Sequence, residues 1–248
     1  EIGNDFDLTR ALNHGGLPEH YLASDVTPLL RSYVADYLKE EIAAEGLVRN
    51  LPSFSQFLDT VSLSDTELVS YSTFARDTGV SVNTVKEYFQ ILVDTLLGVF
   101  IPSYTKRPKR RVIQAPKFYF SDVGPVNFLA KRGRLEVGSE LFGKALENWI
   151  CHELRAYSSC SNKYFDISYW RLASGIEVDF VLGDMEVAIE VKATQRVRED
   201  HLNGLYAVKK DHNRLKRSIV VSLERRSRTI DCGIEILTWK EFLSRLWS

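Results

Sequence analysis

The order of secondary-structure signals over residues 135–248 constrains the fold most. A helix is predicted from about Leu141 to Tyr157. Short β-like runs follow at Ile167–Arg171, Glu177–Leu182 and Val187–Val191. A helix from about Arg198 to Lys210 comes next, then runs at Ser218–Leu223 and Ile234–Trp239, and a closing helix over Glu241–Trp247. Helix, three strands, helix, strand, strand is an α/β pattern with a central mixed sheet.

Within that block one stretch is chemically dense: Trp170-Arg171, then Gly175-Ile176-Glu177-Val178-Asp179-Phe180, then Ile189-Glu190-Val191-Lys192. Strand alternation puts Glu177 and Asp179 on one face and Val178 and Phe180 on the other. Glu190 and Lys192 likewise share a face. If the two strands are neighbours, Asp179, Glu190 and Lys192 converge at one edge of the sheet. Hard divalent cations such as Mg²⁺ take carboxylate oxygens and keep several waters. Two carboxylates on adjacent strands can hold such an ion against a phosphodiester, and a nearby lysine can orient water or bind phosphate oxygens. The same spacing also fits a solvated face carrying an acid–lysine pair.

Upstream, Asp25 to Gly46 reads as one helix, with Leu29, Leu30, Tyr33, Val34, Tyr37, Leu38 and Ile42 as its apolar stripe. Gly15-Gly16-Leu17-Pro18 is a turn, and Phe54–Val61 is a short helix. Residues 65–134 read as a winged helix-turn-helix. Tyr71–Thr78 forms a first helix, Gly79 breaks it, and Ser81 caps a second helix from Val82 to about Leu97. Strands follow near Val99–Tyr104 and Lys117–Phe120. Between them lie Lys106, Arg107, Lys109, Arg110 and Arg111, five positive charges in six residues. That hairpin is the candidate contact for a polyanion. Residues 1–64 complete a three-part division as a helical region.

Composition bounds the partners. Residues 1–100 hold 6 Lys+Arg against 15 Asp+Glu, and residues 101–248 hold 26 against 18. A nucleic acid, DNA in the first place, is therefore expected at the C-terminal part. The acidic helical region is expected to face a protein partner or a second copy of the chain. Three cysteines without a CxxC pair fit a reducing cytoplasm and build no zinc site. The longest apolar stretch, Ile91–Ile101, contains Asp94 and is too short to span a bilayer, so no membrane partner is expected. The only methionine is Met185, so the chain reads as a fragment of a longer protein.

These residues resemble a known nuclease motif. Asp179, ten residues, then Glu190-x-Lys192 is similar to PD-(D/E)XK, with Val178 in the proline position. Glu147, in Phe142-Gly143-Lys144-Ala145-Leu146-Glu147-Asn148-Trp149, resembles the acidic residue on the preceding helix. The whole chain looks like the C-terminal half of a family of bacterial and archaeal AAA-type ATPases. It does so through Gly15-Gly16-Leu17-Pro18-Glu19, Arg31-Ser32-Tyr33 and the Trp170-to-Lys192 block. The resemblance implies a restriction-endonuclease-like domain over residues 135–248 and a Mg²⁺ site on Asp179, Glu190 and Glu147. It assigns Glu147, Asp179, Glu190 and Lys192 as catalytic. ATP is implied only through a module N-terminal to these residues. Gly138 to Lys144 has a phosphate-loop outline, but Ala145 replaces the hydroxyl such a loop needs. The Gln-x-x-x-Tyr helix of some related nucleases has no counterpart after Arg198. The alternative reading is a nuclease-fold module without turnover that couples the ATPase to DNA or to a partner protein.

Overall fold

The computed structural model describes residues 5–35, 42, 46, 48, 50–106 and 110–248. The chain divides into two compact units. One comprises Glu1–Phe100 with Phe118–Trp149, the other Ile101–Lys117 with Ile150–Ser248. The class is mixed α/β, with helices first and a six-stranded mixed sheet after them.

The first unit opens with α1 (Leu8–His14), α2 (Pro18–Leu22) and α3 (Thr27–Ser32). The expected turn at Gly15-Gly16 is held from a distance. The Asp122 carboxylate accepts from Gly16 N–H at 2.9 Å and from Leu17 N–H at 3.2 Å. The helix expected from Asp25 is seen as α3, continuing into a wider π-type turn at residues 33–35. Tyr37 and Leu38 of its predicted stripe lie outside the described residues. Then come α4 (Leu51–Leu63), α5 (Tyr71–Thr78) and α6 (Val82–Asp94). Each has a side-chain N-cap: Asn50, Ser70 and Ser81 accept from the backbone N–H three residues on. Gly79, at φ 69°, ends α5 in the left-handed region. The sequence places that stop correctly, because a residue with a Cβ resists this backbone.

Strands β1 (Gly98–Ile101) and β2 (Lys117–Phe120) pair, α7 (Val123–Leu129) follows, and α8 (Glu140–Cys160) begins in this unit. The core is aromatic. Phe89 meets Phe57 and Phe118 edge-on with ring centroids 5.0 Å apart. Such packing favours positive ring edge against negative face.

The second unit carries the rest of α8, β3 (Ile167–Arg171), β4 (Glu177–Leu182) and β5 (Val187–Lys192). A 3₁₀ turn (Glu199–Leu202) leads into α9 (Asn203–Asp211), then β6 (Arg217–Ser222), β7 (Arg228–Thr229), β8 (Ile234–Thr238) and α10 (Trp239–Trp247). The sheet order is β3-β4-β5-β6-β8-β7. β3, β4 and β5 pair antiparallel, β5–β6 and β6–β8 parallel, and β7–β8 antiparallel. The parallel pair β5–β6 requires a crossover, and α9 supplies it. Residues 102–104 and 111–113 run beside edge strand β3. Tyr169 N–H donates to the Pro102 carbonyl at 3.0 Å, and Ile113 N–H to that of Arg171 at 2.9 Å. That pairing covers a sheet edge that would otherwise expose free backbone groups.

Helix α9 seats against β4 through Gly204. A Cβ built there would lie 1.8 Å from the Glu177 carbonyl oxygen. Backbone cannot swing aside as a flexible side chain can, so Gly204→Ala must push the helix off the sheet. The expected cost is about 1–3 kcal/mol, read as a lower urea midpoint. A midpoint equal to wild type would show that the contact is not tight.

Candidate functional site

The hairpin of β4 and β5 builds the centre. Phe180 pairs with Ile189 and Val181 with Ala188. One step further along this register Asp179 stands across from Glu190, on the same face as Val181 and Ala188. Both acids are buried. Asp179 Oδ2 accepts from Val191 N–H at 2.8 Å, which fixes the carboxylate over the neighbouring strand. Glu190 Oε1 lies 2.6 Å from Lys192 Nζ. Glu190 Oε2 is buried and has no hydrogen-bond partner among the described residues. Burial pushes the Glu190 carboxyl well above its ordinary range, and the charge of Asp179 pushes it further. The Lys192 ammonium opposes both. The expected convergence of Asp179, Glu190 and Lys192 is therefore what the strands bring together.

A second layer flanks this centre. Arg171 and Glu177 are paired across β3 and β4, with Arg171 Nη1 2.6 Å from Glu177 Oε2. The other Glu177 oxygen takes an ion pair from Lys117, which is buried. Lys117 also lies over the Tyr169 ring, 5.6 Å from its centroid. Arg171 and Glu177 stood in the motif block. Lys117 did not, because nothing local marks a residue that pairs 60 positions downstream.

The other candidates are placed as follows. Glu147 sits on α8 within the first unit, where the Tyr119 hydroxyl donates to its Oε1 at 2.5 Å. In the basic segment, Lys106 lies 3.7 Å from Asp184, and Arg110 2.7 Å from Asp211. Arg110 also stands over the Trp170 ring at 5.8 Å. Arg111 is exposed, and Arg107 and Lys109 lie outside the described residues. Charges already committed to acids attract phosphate less than their count implies. Among the described residues, no group of three His, Cys, Asp or Glu is gathered so as to hold a metal ion. A cation held by this pair would have to complete its shell with waters or phosphate oxygens, as Mg²⁺ does more readily than Zn²⁺. The orphaned Glu190 oxygen fits a cation. No helix among the described residues is long and apolar enough to cross a membrane.

Fold and site together define an α/β protein with a carboxylate–lysine centre on one face of a mixed sheet. Residues 5–136 match the model described as domain of unknown function DUF8612, and the chain belongs to that family. Residues 142–242 match a second domain of unknown function, DUF4143, a domain found in AAA-ATPase-associated proteins. No curated protein and no solved structure matches the chain significantly.

Proposed function

We propose that the second unit is a Mg²⁺-dependent, nuclease-type module acting on DNA, carried by the C-terminal part of an AAA-type ATPase. One observation carries this reading: a buried Glu190 oxygen without a partner, beside a second buried carboxylate. A buried, unpartnered carboxylate oxygen is costly, and a divalent cation is the ligand that best repays the cost. Asp179 Oδ1 and Glu190 Oε2 would hold the ion. Bound Mg²⁺ would polarise a phosphodiester and acidify a water molecule. Lys192 favours the charged form of Glu190 against burial and the Asp179 charge. Its side chain is one-third exposed, so the ammonium can also reach a phosphate oxygen or the attacking water. ATP handling falls to a module N-terminal to these residues.

The second reading is a nuclease fold without turnover that couples the ATPase to DNA or to a partner protein. The absence of a three-residue ligand cluster among the described residues favours it. Labelled single- and double-stranded DNA incubated with millimolar Mg²⁺ or Mn²⁺ separates the two. The expected result is metal-dependent cleavage by wild type, lost at least 100-fold in Lys192→Ala, since one such electrostatic contact contributes roughly 10²–10³ in rate. DNA binding without cleavage supports the silent module. Cleavage that survives both Lys192→Ala and Asp179→Asn places the chemistry elsewhere.

A further inference from the structure

Beyond the carboxylate pair and Lys192, the sheet presents a cation that the proposed chemistry leaves unused, Arg171. Arg171 on β3 pairs with Glu177 on β4, and Lys192 lies on the next strand, β5. Lys192 in turn pairs with Ser222 on β6. Arg171 and Lys192 thus lie on the two strands that flank β4, which carries Glu177. One carboxylate, Glu177, serves two cations, Arg171 and Lys117. Lys117 is buried and takes one oxygen. Arg171 takes the other through a single nitrogen and is 31% exposed. Arg171 is the exposed end of the ion triad Lys117–Glu177–Arg171. A planar guanidinium with donors to spare is suited to phosphate.

We propose that Arg171 contacts the DNA backbone beside the carboxylate pair, gripping a phosphate adjacent to the one that Asp179, Glu190 and Lys192 address. This inference rests on the nuclease-type reading for the identity of the ligand. Glu177 and buried Lys117 are positioning residues: they fix the strand-end rotamer of Arg171 and leave its outer face to the phosphate. The contact reads charge and not base, because a guanidinium on a phosphate carries no sequence information.

The test uses the 248-residue chain and a fluorescent DNA oligonucleotide of mixed sequence. Binding is measured by anisotropy in EDTA across a salt series, so that neither metal nor turnover enters. Arg171→Gln is expected to weaken binding several-fold near 0.1 M salt. It should also lower the log–log salt slope by about 0.7–0.9, the value of one phosphate contact. Arg171→Lys should restore the slope. A merely structural role would lower affinity without changing the slope and without rescue by lysine. In parallel, wild type is treated with phenylglyoxal with and without the oligonucleotide. DNA should protect Arg171 in the mass spectrum, a readout that needs no variant to fold. An unchanged slope in Arg171→Gln, or an Arg171 modified equally with and without DNA, overturns the inference. So does a wild type that binds no DNA, even if Mn²⁺ still stabilises the protein and the metal reading survives. Conversely, an Arg171-dependent slope in a protein that no divalent metal stabilises upholds the grip and removes the metal centre.

Discussion

Glu190→Gln is expected to raise the melting temperature of the metal-free protein and to erase the rise that Mn²⁺ produces in wild type. The first half follows from burial. Burial and the Asp179 charge penalise the ionised form of Glu190, a cost that Lys192 only partly offsets. A neutral amide of the same shape removes that cost and keeps an oxygen for Lys192. The gain is about 1–2 kcal/mol, or roughly 2–8 °C for a chain of this size. The second half follows from mass action. A cation that binds only the folded chain stabilises it by about 2.7 kcal/mol at 100 times its dissociation constant. Removing one of two carboxylate ligands abolishes most of that. Asp179→Asn should lose the metal effect too, while its remaining oxygen still accepts from Val191 N–H. Melting curves of the three proteins with and without millimolar Mn²⁺ decide it. A wild type indifferent to Mn²⁺, together with a Glu190→Gln variant that melts lower, would sink the metal reading.

How far this centre could be read in advance depends on how local its causes are. Asp179, Glu190 and Lys192 were legible because strand alternation alone assigns their faces, and the intervening turn is too short to part the strands. The cap Ser81 and the stop at Gly79 were legible for the same reason: each acts within one helical turn. The helices α1, α2 and α7 were not expected. They are five to seven residues long, and Asp122 ties the α1–α2 turn to α7 across more than 100 residues. Strand β7 has two residues and exists only through its pairing with β8. The basic segment was legible as charge but not as structure, since the acids that neutralise Lys106 and Arg110 lie about 80 and 100 positions away. Lys117 is the same case in reverse. It sits in an apolar-looking strand, and only the fold brings it to Glu177.

The largest loss of stability is expected from Asp65→Ala in the first unit. Asp65 lies where the end of α4, strand β2 and helix α8 meet. Its Oδ1 accepts from Phe120 N–H at 2.9 Å, and Asn148 Nδ2 donates to both of its oxygens at 3.0 Å. Truncation leaves the buried Phe120 N–H without an acceptor and opens a void, a cost of about 3–5 kcal/mol in the urea-unfolding free energy at pH 7. Asp65→Asn behaves differently and isolates the charge. Burial is the dominant influence on Asp65 and raises its pKa from 3.8 to about 6, against the pull of the Phe120 N–H, Arg132, Asn148 and Lys144. A raised folded pKa means that the folded chain holds this proton more tightly than the unfolded chain. The resulting stability is fully present below about pH 3.8 and is lost as pH rises through 6. Two pKa units correspond to about 3 kcal/mol. Asparagine keeps an acceptor for Phe120 N–H and offers a donor towards Asn148, whose Oδ1 is buried without a partner. Asp65→Asn should therefore flatten the stability profile between pH 4 and 6 and match or exceed wild type at pH 7. A variant that keeps the wild-type slope across that window would show that another group titrates there.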